Sequence, residues 1–501
     1  MSELITIRPE LLSLSPEQAQ ALIPYFWIFG GATLALLACV LKAVRPKWPT
    51  FIISVVTVIG GMVATAAALN SPTQELFNRM MVVDSFSTLF NLVFLGSALI
   101  TLLVSVRYLD KEGLQHPEYY VLVLFSALGM MLLGSAQDLI VLFIALEIMS
   151  LAIYVLVGFR RADRRSNEAA MKYFILGSAA SAVLLYGAAL LYGATGTLNI
   201  REILAFVSSD GHTTSGLYVV GAWLVVVGFL FKVASVPFHM WMPDVYEGAP
   251  TPITGFMTTG LKAAAFAAFV RVFVSMGFGK GLSEVLQQNI HHILWASAVL
   301  TMVVGNVVAL TQSNLKRMLG YSSIAHTGYL LVGVLAGHLS PEGYSPIFMY
   351  LVAYSVMNLG AFAILSILST SSDSGVNLHD LAGLAKRHPW LSFALAVFML
   401  SMAGVPPTAG FIAKYLLLYS AVQAGEVPLV VISVLCSAIS VYYYLRVLVY
   451  MYMREPAGFV PAARVPFWSG LAVAAMVALT LHIGVLPSPV LAAAKKAIVA
   501  Q

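Results

Sequence analysis

Apolar runs of about twenty residues, each long enough to cross a bilayer as a helix, follow one another along nearly the whole chain. Gly, Pro and charge clusters punctuate them, and with those as boundaries the pattern predicts about fourteen helices. The first seven lie at 22–43, 50–69, 85–107, 119–136, 138–158, 170–193 and 217–240. The others lie at 252–276, 289–311, 317–338, 345–369, 389–422, 427–452 and 467–488. The fold class is an all-α polytopic membrane protein.

Two places break the pattern. Between Gly228 and Lys262, two lysines, Lys232 and Lys262, stand in apolar helices on either side of a stretch holding Pro237, Pro243, Pro250 and Pro252. An ammonium group at membrane depth costs roughly 2.5 to 3.5 kcal/mol on insertion scales, so it marks a site or a pathway. Proline removes an amide donor, and a broken helix persists in a bilayer where it is buried or lines a wet cavity. The run 389–422 is too long for one crossing, and it has Pro406 and Pro407 in its middle with Lys414 beyond them. Two Pro-broken helices carrying lysines, at matching places in two five-helix blocks, predict an inverted repeat. The division expected is an N-terminal set of three helices at 1–118, a first repeat at 119–276, a second at 289–453 and a last helix at 467–488. The symmetry is imperfect, because Lys232 precedes its proline and Lys414 follows its pair.

Composition agrees with the membrane reading. The chain has 501 residues, 60% of them hydrophobic and 10% charged, with a mean hydropathy of +0.89, and so lacks the polar surface of a soluble globule. A net charge of +5 does not imply nucleic acid here, because the basic residues segregate by loop. Loops after odd-numbered helices carry Lys42, Arg45 and Lys47; Lys111; Arg160, Arg161, Arg164 and Arg165; Lys316 and Arg317; Lys386 and Arg387; Arg454 and Arg464. The others hold little beyond Arg79, Arg201 and Lys280. By the positive-inside rule the first group is cytoplasmic and both termini are outside, in agreement with an even helix count. The loop from Trp241 to Pro250 is the exception, since it belongs inside yet has no Lys or Arg. Cys39 and Cys436 stand far apart in apolar helices and read as packing residues, with no disulfide framework. The start of the chain lacks the basic region and cleavage site of a signal peptide, and the first apolar segment reads as a retained anchor.

Glu147 lies near the centre of the fifth helix, and Lys232 is its expected partner. The pair has two readings, a static contact that fixes packing or one step of a relay. A carboxylate beside Lys232 stabilises its proton, and moving that carboxylate favours release. Lys262, His326 and Lys414 extend the series. His326 is either a proton shuttle or a hydrogen-bonded packing residue. His239 and Asp244 flank the first break, where protons enter or where Asp244 closes a loop. Ser235, Thr251, Thr254, Thr258 and Thr259 either hold water or satisfy freed backbone groups. There is no phosphate-binding GxxxxGK[ST] loop, and the Gly-rich stretch 277–282 lacks the strand and helix that a nucleotide site needs. No Cys or His cluster suits an iron-sulfur centre, so energy for any ion movement must come from a gradient or a partner.

The stretches ALEIMSLAIYVLVGF, FKVASVPFHMWMPDVYEGAPTPITGFMTTGLKAAAFAAFVRVF, NLKRMLGYSSIAHTGYLLVG, and DLAGLAKRHP through MLSMAGVPPTAGFIAKYLLL resemble the antiporter-like membrane subunits of respiratory complex I. The likeness spans roughly 80–455, and the DVYEGAP and GLKAAAF motifs point to the subunit N branch, called subunit 2 in other nomenclatures. Subunit M is similar but carries a glutamate where Lys414 stands, and subunit L adds a long lateral helix at its C-terminus. The resemblance implies a fourteen-helix bundle in the membrane arm, between subunits K and M, in the inner membrane of a bacterium. It implies that Glu147, Lys232, Lys262 and Lys414, with His326, form a hydrophilic axis for proton translocation. Electrons would pass from NADH through FMN and iron-sulfur clusters in partner subunits to a quinone, with no cofactor in this chain. The alternatives are a subunit of a multisubunit sodium/proton antiporter, a purely structural membrane subunit, or the related subunit of a membrane hydrogenase or photosynthetic complex.

Overall fold

The computed structural model describes residues 14–40, 47–208, 215–275, 284–369, 376–455 and 465–499. Lys42, Arg45, Arg464, Lys280 and the Gly-rich stretch 277–282 lie outside the described residues.

The first helices are α1 (Pro16–Val40), α2 (Lys47–Ala67), α3 (Ser85–Glu112), α4 (Glu118–Ser135), α5 (Leu139–Val157) and α6 (Arg164–Thr195). A two-stranded antiparallel hairpin, Gln74–Leu76 with Met81–Val83, joins α2 to α3. A short α7 (Ile200–Ser208) precedes α8 (Gly216–Lys232), and then come α9 (Trp241–Gly248) and α10 (Thr251–Phe256). A single π-helical turn, Met257–Leu261, leads into α11 (Lys262–Ser275). The second half comprises α12 (Glu284–Thr311), α13 (Leu315–Ala336), α14 (Ser345–Leu368), a short α15 (Leu384–Arg387), α16 (Pro389–Ala403), α17 (Ala409–Gln423), α18 (Val427–Met453), α19 (Phe467–Val485) and α20 (Ser488–Val499).

Among the described residues, twelve helical stretches are long and apolar enough to cross a membrane, and α8 and α16 are shorter apolar helices. That agrees with about fourteen crossings, because both shorter helices are first halves of the predicted broken ones. The segment read as 217–240 stops at Lys232, and the run 389–422 divides at Gly404, whose φ of 88° is the left-handed conformation that glycine adopts without strain. Acidic and amide caps fix several starts. Asp84 accepts from Ser87 N at 2.7 Å, Asp138 from Ile140 N at 2.8 Å, Asp163 from Arg165 N at 2.9 Å and Asn314 from Arg317 N at 3.1 Å. These caps correct two boundaries, since Arg164, Arg165, Lys316 and Arg317, read as loop residues, lie in first helical turns.

Burial sorts the helices. The stretch from Thr251 to Val274, α13 and α14 are almost wholly buried, whereas α1, α6 and α18 expose apolar faces. Side chains such as Phe26, Leu34, Phe174, Leu435 and Tyr442 are exposed there, as expected of surfaces that meet lipid or other apolar helices. The polar residues of the central helices are therefore held away from the surface.

Candidate functional site

Each broken helix leaves backbone groups without helical partners, and neighbouring side chains supply them. At the first break, Val236 N donates to Thr301 Oγ1 at 2.9 Å, and Ser297 Oγ donates to Val236 O at 3.0 Å. Thr327 Oγ1 donates to Val233 O at 2.9 Å, and Ser235 Oγ donates to Leu230 O at 3.1 Å. Of the two readings of the local hydroxyls, Ser235, Thr254, Thr258 and Thr259 follow the second, since each donates to a backbone carbonyl. At the second break the donor is a lysine. Lys414 Nζ lies 2.9 Å from Met402 O and 3.3 Å from Ala403 O, the open carbonyls at the end of α16, and 3.0 Å from Ser437 Oγ. A cation there also meets the negative end of the helix dipole. Lys232 is itself the last residue of α8, whereas the end of α16 is met by Lys414 from α17.

The structure brings the candidate residues into one row. Lys232 Nζ donates to Ser150 Oγ at 2.8 Å. Glu147 does not form the expected ion pair with it; Glu147 Oε1 is buried without a hydrogen-bond partner, one turn from Ser150 on α5. The helices place the hydroxyl, not the carboxylate, against the ammonium. A cavity of about 20 Å³, room for a water, lies between Lys232 and Lys262, walled by Met149, Tyr173, Trp241 and Met257. The π-turn ends immediately before Lys262, and such turns re-aim the side chains that follow them. Lys262, 4% exposed, donates to Ser323 O at 2.6 Å and to Ser323 Oγ, and sits 5.1 Å from the centre of the Tyr354 ring.

His326 follows on α13, one turn beyond Ser323, and is fully buried. Its Nδ1 is 2.6 Å from the Tyr350 hydroxyl and its Nε2 is 3.2 Å from the Tyr444 hydroxyl, which also bonds Ser322 Oγ. A neutral imidazole donates from one nitrogen and accepts at the other, so one of the two hydroxyls donates to the ring and the other accepts from it. Tyr329 packs edge-on to His326, and its ring centre lies 5.3 Å from Lys414 Nζ. Between His326 and Lys414 the Tyr329 ring intervenes, with ring contacts to both.

Asp244 is held by Lys172 Nζ at 2.8 Å and by Arg317 at 2.7 Å, and Arg317 also reaches Glu247 at 3.0 Å. Burial pushes the Asp244 carboxyl up, but the bonds from Lys172 and Arg317 outweigh it and hold the group below its ordinary value. Because its folded value is depressed, its stabilising contribution is complete at neutral pH and is lost as pH falls below the ordinary carboxylate range. Asp244 therefore closes a charged network, the second of its two readings. The network also explains the stretch without Lys or Arg. Its cations come from other elements, with Arg160 donating to Gly248 O at 3.1 Å and Lys316 to Ala249 O at 2.6 Å. His239 Nδ1 is buried with no hydrogen-bond partner.

The sequence reading did not single out Ser150, Ser323, Tyr350, Tyr354, Tyr444 or the pair Asp84 and Arg271. Arg271 meets Asp84 with two bonds of 3.0 Å, donates to Gly134 O at 3.1 Å and covers the Phe86 ring. Among the described residues, no group of three or more His, Cys, Asp or Glu gathers as metal ligands do.

Residues 136–440 match the family model described as NADH:quinone oxidoreductase/Mrp antiporter, TM. A curated relative, NADH-quinone oxidoreductase subunit N of Trichlorobacter lovleyi, is 44% identical over 89% of this chain and 90% of its own. Among solved structures, a chain of respiratory complex I from Thermus thermophilus aligns with a TM-score of 0.79 at 36% identity, over 94% of this chain and 99% of that one. A chain of the Mrp complex from Dietzia sp. shares the fold, with a TM-score of 0.79 at 21% identity over 95% of this chain and 97% of that one. The chain belongs to the membrane family of NADH:quinone oxidoreductase and Mrp antiporter subunits, and within it to the subunit N group of respiratory complex I.

Proposed function

We propose that this membrane-arm subunit of proton-pumping NADH:quinone oxidoreductase carries protons along the row Glu147, Lys232, Lys262, His326 and Lys414. The observation that carries the reading is the placing, one turn apart on α13, of Ser323, which accepts from Lys262, and of buried His326, held between two tyrosine hydroxyls. Apolar helices around them keep the protons on that path. The ammonium of Lys232 shares a water-sized cavity with Lys262, so a proton passes between them through one water. Glu147, unpaired one turn from Lys232's contact, is placed to bias whether Lys232 holds its proton.

In this reading electrons run from NADH through FMN and iron-sulfur clusters to a quinone, all in partner subunits, and the energy released there drives proton movement here. The neighbours are the K and M type subunits of the same arm. The chain sits in a bacterial inner membrane with the Arg160 to Arg165 side in the cytoplasm and both termini in the periplasm, in keeping with the positive-inside rule. The first halves of the two broken helices end at Lys232 and Ala403, which supports reading 119–276 and 289–453 as two repeats. The antiporter alternative is the weaker one, resting on the shared family model and on a fold match at 21% identity.

The test is Lys232→Ala in membranes, comparing assembled complex on a native gel with NADH-driven quinone reduction and proton pumping. Normal assembly with collapsed turnover and pumping is the expected result. Loss of assembly would make Lys232 structural, and unchanged turnover and pumping would remove it from the route.

A further inference from the structure

Beside the water-sized cavity shared by Lys232 and Lys262 lies a second, solvent-facing cavity of about 250 Å³. It is lined by charged residues, among them Arg165, Glu168, Lys172, Asp244 and Glu247. Both cavities are bounded by α6 and α9, and the residues that wall one are chain neighbours of those that wall the other. Tyr173 follows Lys172, Trp241 begins the helix that bears Asp244, and Tyr246 precedes Glu247. On the side of α6 and α9 the inner cavity is walled by Tyr173, Trp241, Met242 and Tyr246. Tyr173 and Trp241 stack with ring centres 4.6 Å apart and planes 14° from parallel, and both are almost fully buried.

From this geometry we infer that the Tyr173 and Trp241 stack is a gate between the charged vestibule and the lysine pair, and that water reaches Lys232 and Lys262 when it parts. Closed, two apolar ring faces interrupt any chain of hydrogen-bonded waters, so protons cannot cross. The vestibule supplies ionic and hydrated groups on one side of the rings, and the ammonium groups stand on the other. Beyond the stack, the Trp241 indole packs against the Phe231 and Tyr246 rings and makes one hydrogen bond. Its Nε1 donates to Phe231 O at 3.3 Å, and that carbonyl also accepts from Ala234 N at 3.0 Å, so it keeps a partner when the indole turns away. Tyr173 and Trp241 are positioning residues that act through water, not carriers of the proton.

The inference deepens the proton-transfer reading, but its test measures access instead of turnover, so either can fail alone. In assembled complex lacking Cys39 and Cys436, Met149→Cys places a thiol on the wall of the inner cavity. A small, membrane-impermeant, cationic methanethiosulfonate is added to closed vesicles from the vestibule side, and the labelling rate is measured. Labelling is expected to be slow with the stack intact and about tenfold faster with Trp241→Ala, the factor that loss of one aromatic pair allows. Tyr173→Ala, which leaves α9 unaltered, is expected to give the same acceleration, and Trp241→Phe to restore slow labelling. Equal rates with and without the rings, or acceleration only from the opposite side of the membrane, would overturn the gate.

Discussion

Lys262→Ala is expected to leave the complex assembled and to lower NADH-driven quinone reduction and proton pumping together, by about a hundredfold if the lysine acts as a proton-transfer group. The side chain is buried, and its partners are Ser323 and the Tyr354 ring. Alanine removes the ammonium that borders the water-sized cavity and bonds Ser323, so the row is cut at its centre. Assembly survives because Lys262 has no buried carboxylate that its loss would strand; its polar contacts are hydroxyl and carbonyl groups. The measurement is oxidation rate and vesicle acidification per assembled complex. A small or absent effect on both would place the proton path elsewhere in the bundle.

Arg271→Ala is expected to do the opposite, by reducing the amount of complex. Arg271 is 2% exposed and Asp84 7%, and they are joined by two hydrogen bonds. Removing one partner of such a pair leaves a buried charge and costs about 3 to 5 kcal/mol. Asp84 also caps α3 and Arg271 ties α11 to α4 through Gly134 O, so three helices lose registry together. A native gel is expected to show several-fold less assembled complex, with normal turnover in what remains. Asp84→Asn combined with Arg271→Met should recover much of it, since asparagine keeps the cap and no charge is stranded. Equal loss in the single and double variants would contradict the ion-pair account.

The long apolar runs, the two breaks and the four buried basic or imidazole groups were legible in the sequence because each is a chemical exception within its own helix. Proline in an apolar run announces a break, and a lysine there announces a site, with no knowledge of the partner helix. Pairings were not legible. Asp84 and Arg271 stand 187 positions apart, and nothing near either names the other. Lys232 was matched to Glu147 because opposite charge is the strongest signal in a list of residues. Helix rotation decided for Ser150, three positions on. The tyrosines around His326 looked like ordinary core, because a phenol and an apolar ring fill the same space. The spacing of Ser322, Ser323, His326 and Tyr329, which sets them along one side of α13, was the available signal. The hairpin, α7 and α20 are too short to stand out among membrane spans. The basic residues around the charged vestibule come from the turn before α6, from α6 and from α13, so the loop from Trp241 to Pro250 looked like an exception to the charge pattern when read alone.

The account's central claim is that these lysines give up and regain protons, and Lys232→Arg tests it most directly. Arginine keeps the positive charge and its contact with the Ser150 hydroxyl, but its guanidinium does not release its proton at physiological pH. NADH-driven proton pumping in closed vesicles, measured per assembled complex, is expected to be abolished in this variant although the complex assembles normally. Pumping at the unaltered rate would mean that a fixed charge suffices at this position and that Lys232 is not a proton carrier.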